Sequence, residues 1–371
     1  MMLKKLYINA FRNLEQADLA FGNRFNIFFG NNAQGKTNLL ESIYLLGTMK
    51  SFRQARTSEL IRWGTTSGML QGWVERDGVT REIAILLEKE GKKVRVDRKS
   101  VAKLADFFGS LNVVLFSPEE LAMTRGMPDG RRRYLDRAIF SGDADYLRLH
   151  HDYYRILKNR NLLLRKGDTG DLDVWSDQLA EAGARLIARR ITFLAEIEPL
   201  LQAYYDEISG RREEAGLKYL PHLSGGDLGR GGEATLLREA LAKSATEERR
   251  RGTTLVGPHR DDVEFFLNGM PLRRFGSQGQ CRSFVLALKM AEISYLERKF
   301  GNPPILLLDD MTSELDRERN RNLMEFLAAK RMQVFITTTT LQNIALPGME
   351  QYRTFRVEAG RVLSEDRGNH D

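Results

Sequence analysis

The residues with the clearest chemical potential are Gly30-Asn31-Asn32-Ala33-Gln34-Gly35-Lys36-Thr37. They fit G-x-x-x-x-G-K-[ST], a loop whose backbone amides cradle phosphate oxygens. In that pattern Gly30 and Gly35 let the backbone approach the phosphates. Lys36 reaches the β- and γ-phosphates, and the Thr37 hydroxyl binds Mg²⁺. Such a loop needs a carboxylate partner, and Ile305-Leu306-Leu307-Leu308-Asp309-Asp310 supplies one, an apolar run ending in acid. Asp309 would hold the metal through water, and Asp310 is placed to orient or deprotonate an attacking water. The implied cofactors are ATP and Mg²⁺.

The elements that must position these groups are legible on either side. Arg24–Phe29 reads as a buried strand and 38–49 as a helix opening at Asn38, so loop amides and helix N-terminus can converge on the phosphates. Strand patterns also cover 3–11, 68–76, 79–88, 92–96 and 111–116, with Asp77-Gly78 as a hairpin turn. After Pro118 the periodicity becomes helical over 130–140, 143–166, 174–209 and 233–251. Strand character returns at 253–256 and 263–267, followed by a helix over 279–299, a strand over 305–308, a helix over 316–330 and a strand over 333–338. The tail from Glu365 is polar and is expected to fray. The Gly-rich stretch 223–232 lacks a GK[ST] ending and reads as a flexible loop. The expected organisation is an α/β head made of residues 1–124 and 251–371, interrupted by a helical lobe over 125–250.

The 371 residues are 42% hydrophobic and carry a net charge of +7, which allows a packed core and favours polyanionic partners. One cysteine, Cys281, rules out an intrachain disulfide framework and points to a reducing compartment; it reads as a small buried helix residue. No apolar run is long enough to cross a bilayer, and the first residues alternate like a strand without a signal-peptide core. A soluble cytoplasmic protein with no membrane partner is expected.

Further segments carry a resemblance. Gly276-Ser277-Gln278-Gly279-Gln280, opening a helix, resembles the signature motif of ATP-binding-cassette ATPases, and Ser313-Glu314-Leu315-Asp316 resembles their D-loop. Phe11-Arg12-Asn13, 116–121, 131–136 and Gly257-Pro258-His259-Arg260-Asp261-Asp262 bring the chain closest to the RecF-like branch over nearly its whole length. The resemblance implies an ABC-type (SMC/RecF-like) P-loop ATPase head with an inserted helical lobe. It implies that Ser277, Gln278, Gly279 and Gln280 face the phosphate loop of a second copy, so that a homodimer closes on ATP. Arg12, with Asn13, would approach the nucleotide phosphates. A weak ATPase stimulated by DNA is implied, gripping double-stranded DNA near single-strand gaps in recombinational repair. RecR and RecO would be partners, with roles in RecA loading, replication restart and the SOS response. Departures from the pattern are the absence of a Q-loop glutamine, where Glu119 is the substitute, and Thr337–Thr340 at the position of a switch histidine.

Candidate DNA-phosphate contacts are Arg53, Arg56, Arg62, Arg131, Arg132, Arg133, Lys158, Arg160, Arg165, Lys166, Arg189, Arg190, Arg273 and Arg274. No motif for base-specific readout is present. His259 with Asp261 and Asp262 lacks metal-ligand spacing and is expected to brace the junction of the two lobes. Competing readings are an SMC-type chromosome-organising head, which needs a long coiled coil, a transporter ATPase subunit, which needs a membrane partner, and a non-catalytic nucleotide-gated scaffold.

Overall fold

The computed structural model describes residues 1–101, 107–167, 170–210, 213–223, 232–310, 316–341 and 352–367. Compact packing divides the chain into two units, 1–121 with 288–371, and 122–287.

The first unit is built on two sheets. One is antiparallel, in the order β2 (Leu14–Ala20), β1 (Met2–Phe11), β4 (Ser67–Arg76), β5 (Val79–Glu88), β6 (Gly91–Val96), β7 (Lys99–Ser100). Its β4–β5 connection is the expected Asp77-Gly78 turn, with both residues at positive φ, as a hairpin matching the strand twist requires. The other sheet runs β15 (Arg361–Arg367), β14 (Tyr352–Glu358), β3 (Phe25–Phe29), β13 (Val334–Thr338), β12 (Ile305–Leu308), β8 (Val113–Phe116). All its pairs are parallel except β14–β15. Every residue of β8, β12 and β13 is buried, because a parallel sheet is covered on both faces and its strands read as continuous apolar runs.

Helix α1 (Lys36–Thr48) supplies Leu39, Leu40, Ile43 and Leu46 to one core cluster with Leu6, Ile8 and Leu70 of the antiparallel sheet and Leu307 and Phe335 of the parallel one. Phe21, Phe28, Phe335 and Phe355 pack edge-on and tilted around the phosphate-loop strand, with Phe21 and Phe335 centroids 4.8 Å apart. The buried Gln333 amide joins the sheets: it accepts from Leu3 N–H at 2.7 Å and donates to Leu3 O at 2.9 Å and Gly22 O at 2.7 Å. Short helices α2 (Thr57–Leu60) and α3 (Pro118–Ala122) and helix α10 (Arg317–Ala329) complete the elements around this unit.

The second unit holds α4 (Pro128–Gly142), α5 (Ala144–Lys166), α6 (Leu172–Ser209), α7 (Glu233–Arg251), α8 (Leu272–Phe275) and the start of α9 (Gln278–Phe300). A small sheet, β11 (Met270–Pro271), β10 (Asp262–Leu267), β9 (Ala215–Leu220), completes it. Among its buried residues are several charged side chains. Arg190 is wholly buried and donates to Asp136 at 2.8 Å, Tyr146 OH at 2.9 Å, Tyr219 OH at 3.2 Å and Pro258 O at 2.8 Å. Arg160 donates to Glu248 at 2.7 Å and Thr254 Oγ1 at 2.8 Å, and Arg131 grips Asp262 with two bonds. These three arginines are 3% exposed or less, so they are corrected from candidate DNA contacts to internal ion pairs.

The structure departs from the expected elements in several places. Residues 253–256 form no strand, because side chains take the backbone groups: Asn161 Oδ1 accepts from Thr254 N–H and Glu248 from Leu255 N–H. Strands β2, β9 and β14 were not expected, and β15 carries the chain in strand form to Arg367 where fraying from Glu365 was expected, paired with β14. Segment 251–287, expected with the head, packs within the second unit, since β10 pairs with β9 and Asp262 is held by Arg131. The bonds of the His259–Asp262 cluster to Tyr153, Tyr219 and Arg131 likewise stay inside this unit. Residues 224–231 of the Gly-rich stretch lie outside the described residues.

His259 is half-buried, with Nδ1 2.7 Å from Tyr153 OH and Nε2 3.3 Å from Thr254 O. A carbonyl only accepts, so Nε2 donates and Nδ1 takes the tyrosine proton, which is the neutral imidazole. Burial, with Arg260, Arg132 and Arg190 nearby, pushes its pKa down to about 4. The unfolded chain binds that proton near pH 6.5, so stability is complete above that value and falls as pH drops toward 4, by about 3 kcal/mol. Urea unfolding across this window will show the loss in the wild type and a flatter profile in His259→Gln. Arg190→Ala strands the buried Asp136 carboxylate and will lower stability by about 3–5 kcal/mol in the same measurement.

Candidate nucleotide site

Strand β3 ends at Phe29 and the chain turns through Gly30–Gly35 into α1. Gly30 has φ +144°, and a Cβ there would lie 2.4 Å from Val357 O on β14, so only glycine fits both the conformation and the approach. The first turn of α1 has no side-chain cap and no acidic residue, which leaves its N–H groups and its positive dipole end facing the loop. The loop is braced from two sides. Asn13, in the β1–β2 turn, donates to Gln34 O at 3.0 Å and accepts from Asn38 at 2.8 Å. The β14–β15 turn donates through Ala359 N–H to Gln34 Oε1 at 2.6 Å and through Gly360 N–H to Gln34 O at 3.0 Å.

Lys36 folds back, its ammonium 2.6 Å from Gly30 O and 2.8 Å from Asn31 O. Burial lowers its pKa, opposed by the charges of Asp310 and Asp309. Thr37 Oγ1 donates to Asp309 Oδ1 at 2.9 Å, and Thr337 Oγ1 donates to the same oxygen at 2.8 Å. Asp310, at φ 52°, donates its N–H to Thr337 Oγ1 at 2.9 Å. Burial raises the Asp309 pKa, the two hydroxyls lower it, and Glu119 and Asp310 raise it further. A cavity of about 280 Å³ is lined by Asn32, Ala33, Gly35, Lys36, Thr37, Asn38, Arg53, Asp310 and Thr337.

Residues of the loop and the start of α1, with Asp310, thus line one cavity within the first unit, and Asp309 is bonded to it through Thr37. Arg12 points elsewhere: its guanidinium forms two 2.9 Å bonds to the fully buried Glu41 and donates to Glu59 O at 3.0 Å. Two groups escaped sequence reasoning at this site. Arg53, read as a DNA contact, lines the cavity and donates to Asn38 Oδ1 at 3.3 Å. Thr337, the first of the four threonines at the switch-histidine position, lines the cavity and joins Asp309 to Asp310.

Ser277 and Gln278 are exposed, with Gly279 and Gln280 half-buried at the start of α9. Ser277 Oγ accepts from Gln280 N–H at 3.1 Å and Gln280 Oε1 accepts from Ser277 N–H at 2.7 Å, a reciprocal cap. Residues 313–315 of the D-loop-like segment lie outside the described residues, and Asp316 caps α10 by accepting from Arg319 N–H. Among the described residues no three His, Cys, Asp or Glu side chains cluster as a metal site, and no helix is long and apolar enough to cross a membrane. A hydroxyl and one carboxylate beside a phosphate loop are hard oxygen donors. They suit Mg²⁺, which relies on few protein ligands together with substrate phosphates.

A strand–loop–helix braced around a cavity, with the acid-tipped β12 one strand removed from β3, defines a P-loop ATPase head of the ABC type. The sequence model of the RecF/RecN/SMC N terminal domain matches residues 2–362. The DNA replication and repair protein RecF of Geotalea uraniireducens is 61% identical over 98% of this chain and 100% of its own. That of Geobacter sulfurreducens is 56% identical over 98% and 99%. A solved structure of the recombination mediator protein RecF-ATPrS in the RecFOR pathway is 33% identical, covers 98% of both chains and superposes with a TM-score of 0.89. An Smc head domain from Pyrococcus furiosus, 14% identical over 98% and 96% of the chains with a TM-score of 0.54, shares the fold. The chain belongs to the RecF/RecN/SMC family, in its RecF branch.

Thr337→Val keeps the shape of the side chain and removes both bonds that set Asp309 and Asp310. The bond to the Asp309 carboxylate, a charged group, contributes about 1.5–3 kcal/mol and the bond from the Asp310 amide about 0.5–1.5 kcal/mol. ATP turnover is expected to fall by roughly tenfold or more, with a smaller change in nucleotide affinity. Steady-state hydrolysis and equilibrium binding measured on the same variant will separate the two.

Proposed function

We propose that this chain is an ATP-dependent DNA-binding protein of recombinational repair, working as an ATP-driven dimer on double-stranded DNA near single-strand gaps. The observation that carries the nucleotide chemistry is the 2.9 Å bond between Thr37 and Asp309, which joins the two motifs at one cavity. Loop amides and the α1 N-terminus receive the phosphates, and Lys36 exchanges its carbonyl partners for β- and γ-oxygens. Thr37 and Asp309 would hold Mg²⁺, which supplies neutralisation of the phosphate charge. Asp310 orients the attacking water, and its short arm suits slow turnover. The exposed Ser277–Gln280 segment of a second copy closes over the γ-phosphate, so hydrolysis removes the bridge between copies.

The relatives named as replication and repair proteins support DNA as the cargo, and the RecFOR name of the solved structure supports RecR and RecO as partners. Help in RecA loading, replication restart and the SOS response, and a cytoplasmic location, follow from the same reading. An SMC-type head needs a long coiled coil, and the longest helix of the second unit's described residues is the 38-residue α6.

Sedimentation with Mg²⁺ and ATP tests the switch. Wild type is expected to shift from monomer to dimer on ATP, and Lys36→Met to stay monomeric. A wild type indifferent to nucleotide would sink the proposal.

A further inference from the structure

The start of α9 is held by side chains that belong to no nucleotide motif. Arg125 donates to Gly276 O at 2.6 Å, fixing the residue before Ser277. Beyond the turn, the Gln280 amide is engaged at both ends. Its Oε1 accepts from Ser277 N–H at 2.7 Å, and its Nε2 donates to Glu213 Oε1 at 2.5 Å. Glu213 is anchored in turn. Its other oxygen accepts from the Tyr205 hydroxyl at 2.7 Å, and Tyr205 is only 1% exposed. Gln202 of α6 donates to Glu213 O at 3.4 Å and accepts from Ala215 N–H at 2.6 Å, where β9 begins. Glu214 exchanges two bonds with Asn268 of the β10–β11 turn, at 2.7 and 2.8 Å. All these residues lie in the second unit, so Glu213 reaches the turn from a fixed base.

The chemistry of the contact has a direction. A carboxylate only accepts, whereas an amide has a donor end and an acceptor end. Glu213 therefore admits the Gln280 amide one way round, with Nε2 toward itself and Oε1 toward Ser277 N–H. The reciprocal half of the cap is Gln280 N–H donating to Ser277 Oγ at 3.1 Å. A serine oxygen that accepts this bond keeps its proton for an acceptor outside the chain. In the same turn Gln278 and Gly279 N–H have no acceptor within the helix, and no acidic residue stands there. The hydroxyl and these amides are thus aimed before a phosphate arrives.

We infer that Glu213 is a positioning residue for the ATP site shared between copies: through Gln280 it presets Ser277 and the α9 N-terminus to receive the γ-phosphate carried by a second copy. The inference rests on the dimer reading above and adds to it a residue outside every motif. Glu213 itself touches no nucleotide. A receptor ordered in advance loses less freedom on closure, so the effect falls on association between copies. Uptake of ATP by one copy depends on the phosphate loop, which lies in the first unit.

Sedimentation of the full chain with Mg²⁺ and ATP tests it, alongside binding of a fluorescent ATP analogue to dilute, monomeric protein. Glu213→Ala is expected to raise the dimer dissociation constant by about tenfold, as loss of a charged hydrogen bond does. Nucleotide affinity of the monomer should stay within about twofold, because the substitution is remote from the phosphate loop. Glu213→Gln can still offer Gln280 an acceptor oxygen and should recover most of the dimerisation. Gln280→Ala should weaken dimerisation by a similar factor, and the Glu213→Ala, Gln280→Ala double variant no further, since both act through one contact. A Glu213→Ala protein that dimerises like the wild type overturns the inference, and so do additive effects in the double variant. A joint fall in monomer nucleotide affinity and melting temperature also overturns it, by giving Glu213 a general folding role. A wild type that stays monomeric with ATP would instead overturn the dimer reading.

Discussion

The site depends on one hydrogen-bonded junction, in which a single carboxylate oxygen of Asp309 receives the hydroxyls of Thr37 and Thr337. Its geometry comes from strand register. Leu308, the last residue of β12, is paired with Ile336, and β13 runs two residues further to end with β3, where Thr338 is paired with Phe29. Asp309, the residue after β12, therefore falls beside Thr337 within β13, which is level with Phe28 just before the loop opens at Gly30. Ligands of open parallel sheets gather beyond the carboxyl ends of the strands for this reason. β13 lies between the two motif-bearing strands, and its Thr337 holds the acidic motif with one donor, to Asp309, and one acceptor, from Asp310 N–H, while Thr37 reaches Asp309 directly.

The phosphate loop is also held from outside the sheet. Asn13 in the first hairpin and the Ala359–Gly360 turn in the last both bond Gln34, so the two ends of the first unit clamp the middle of the loop. Arg12 serves this architecture too. Its bidentate pair with the buried Glu41 ties the β1–β2 turn to α1, and the same carboxylate accepts from Ser51 at the base of the segment carrying Arg53. Rigid support of this kind keeps loop amides aimed without help from the ligand, which reduces the ordering cost of binding.

The second unit uses charge internally. Arg131, Arg160 and Arg190 have carboxylate partners and little exposure, so part of the basic composition stabilises the lobe and does not reach its surface. A carboxylate such as Asp136 is held well below its ordinary range by Arg190, His150 and Tyr146, against the opposing effect of its burial. Such networks make a unique arrangement costly to leave, since removing one member strands the others in a dry interior.

The sequence by itself determined the phosphate loop, its strand and helix, the acid-tipped β12, the hairpin at Asp77-Gly78 and the long amphipathic helices. Each is written in local spacing: a motif, an apolar run, a turn pair or a helical period. What tertiary structure alone decided were the pairings between distant residues. No local pattern tells that Arg190 meets Asp136 or that Arg53 lines the cavity, because an arginine in a helix or loop reads alike whether its partner is a carboxylate, a phosphate or water. Strands β2, β14 and β15, rich in polar residues, became strands through hydrogen bonds to neighbours already in a sheet, and 253–256 lost its strand to Asn161 and Glu248 side chains. Burial and long-range partners are properties of the packed chain, and only the folded protein assigns them.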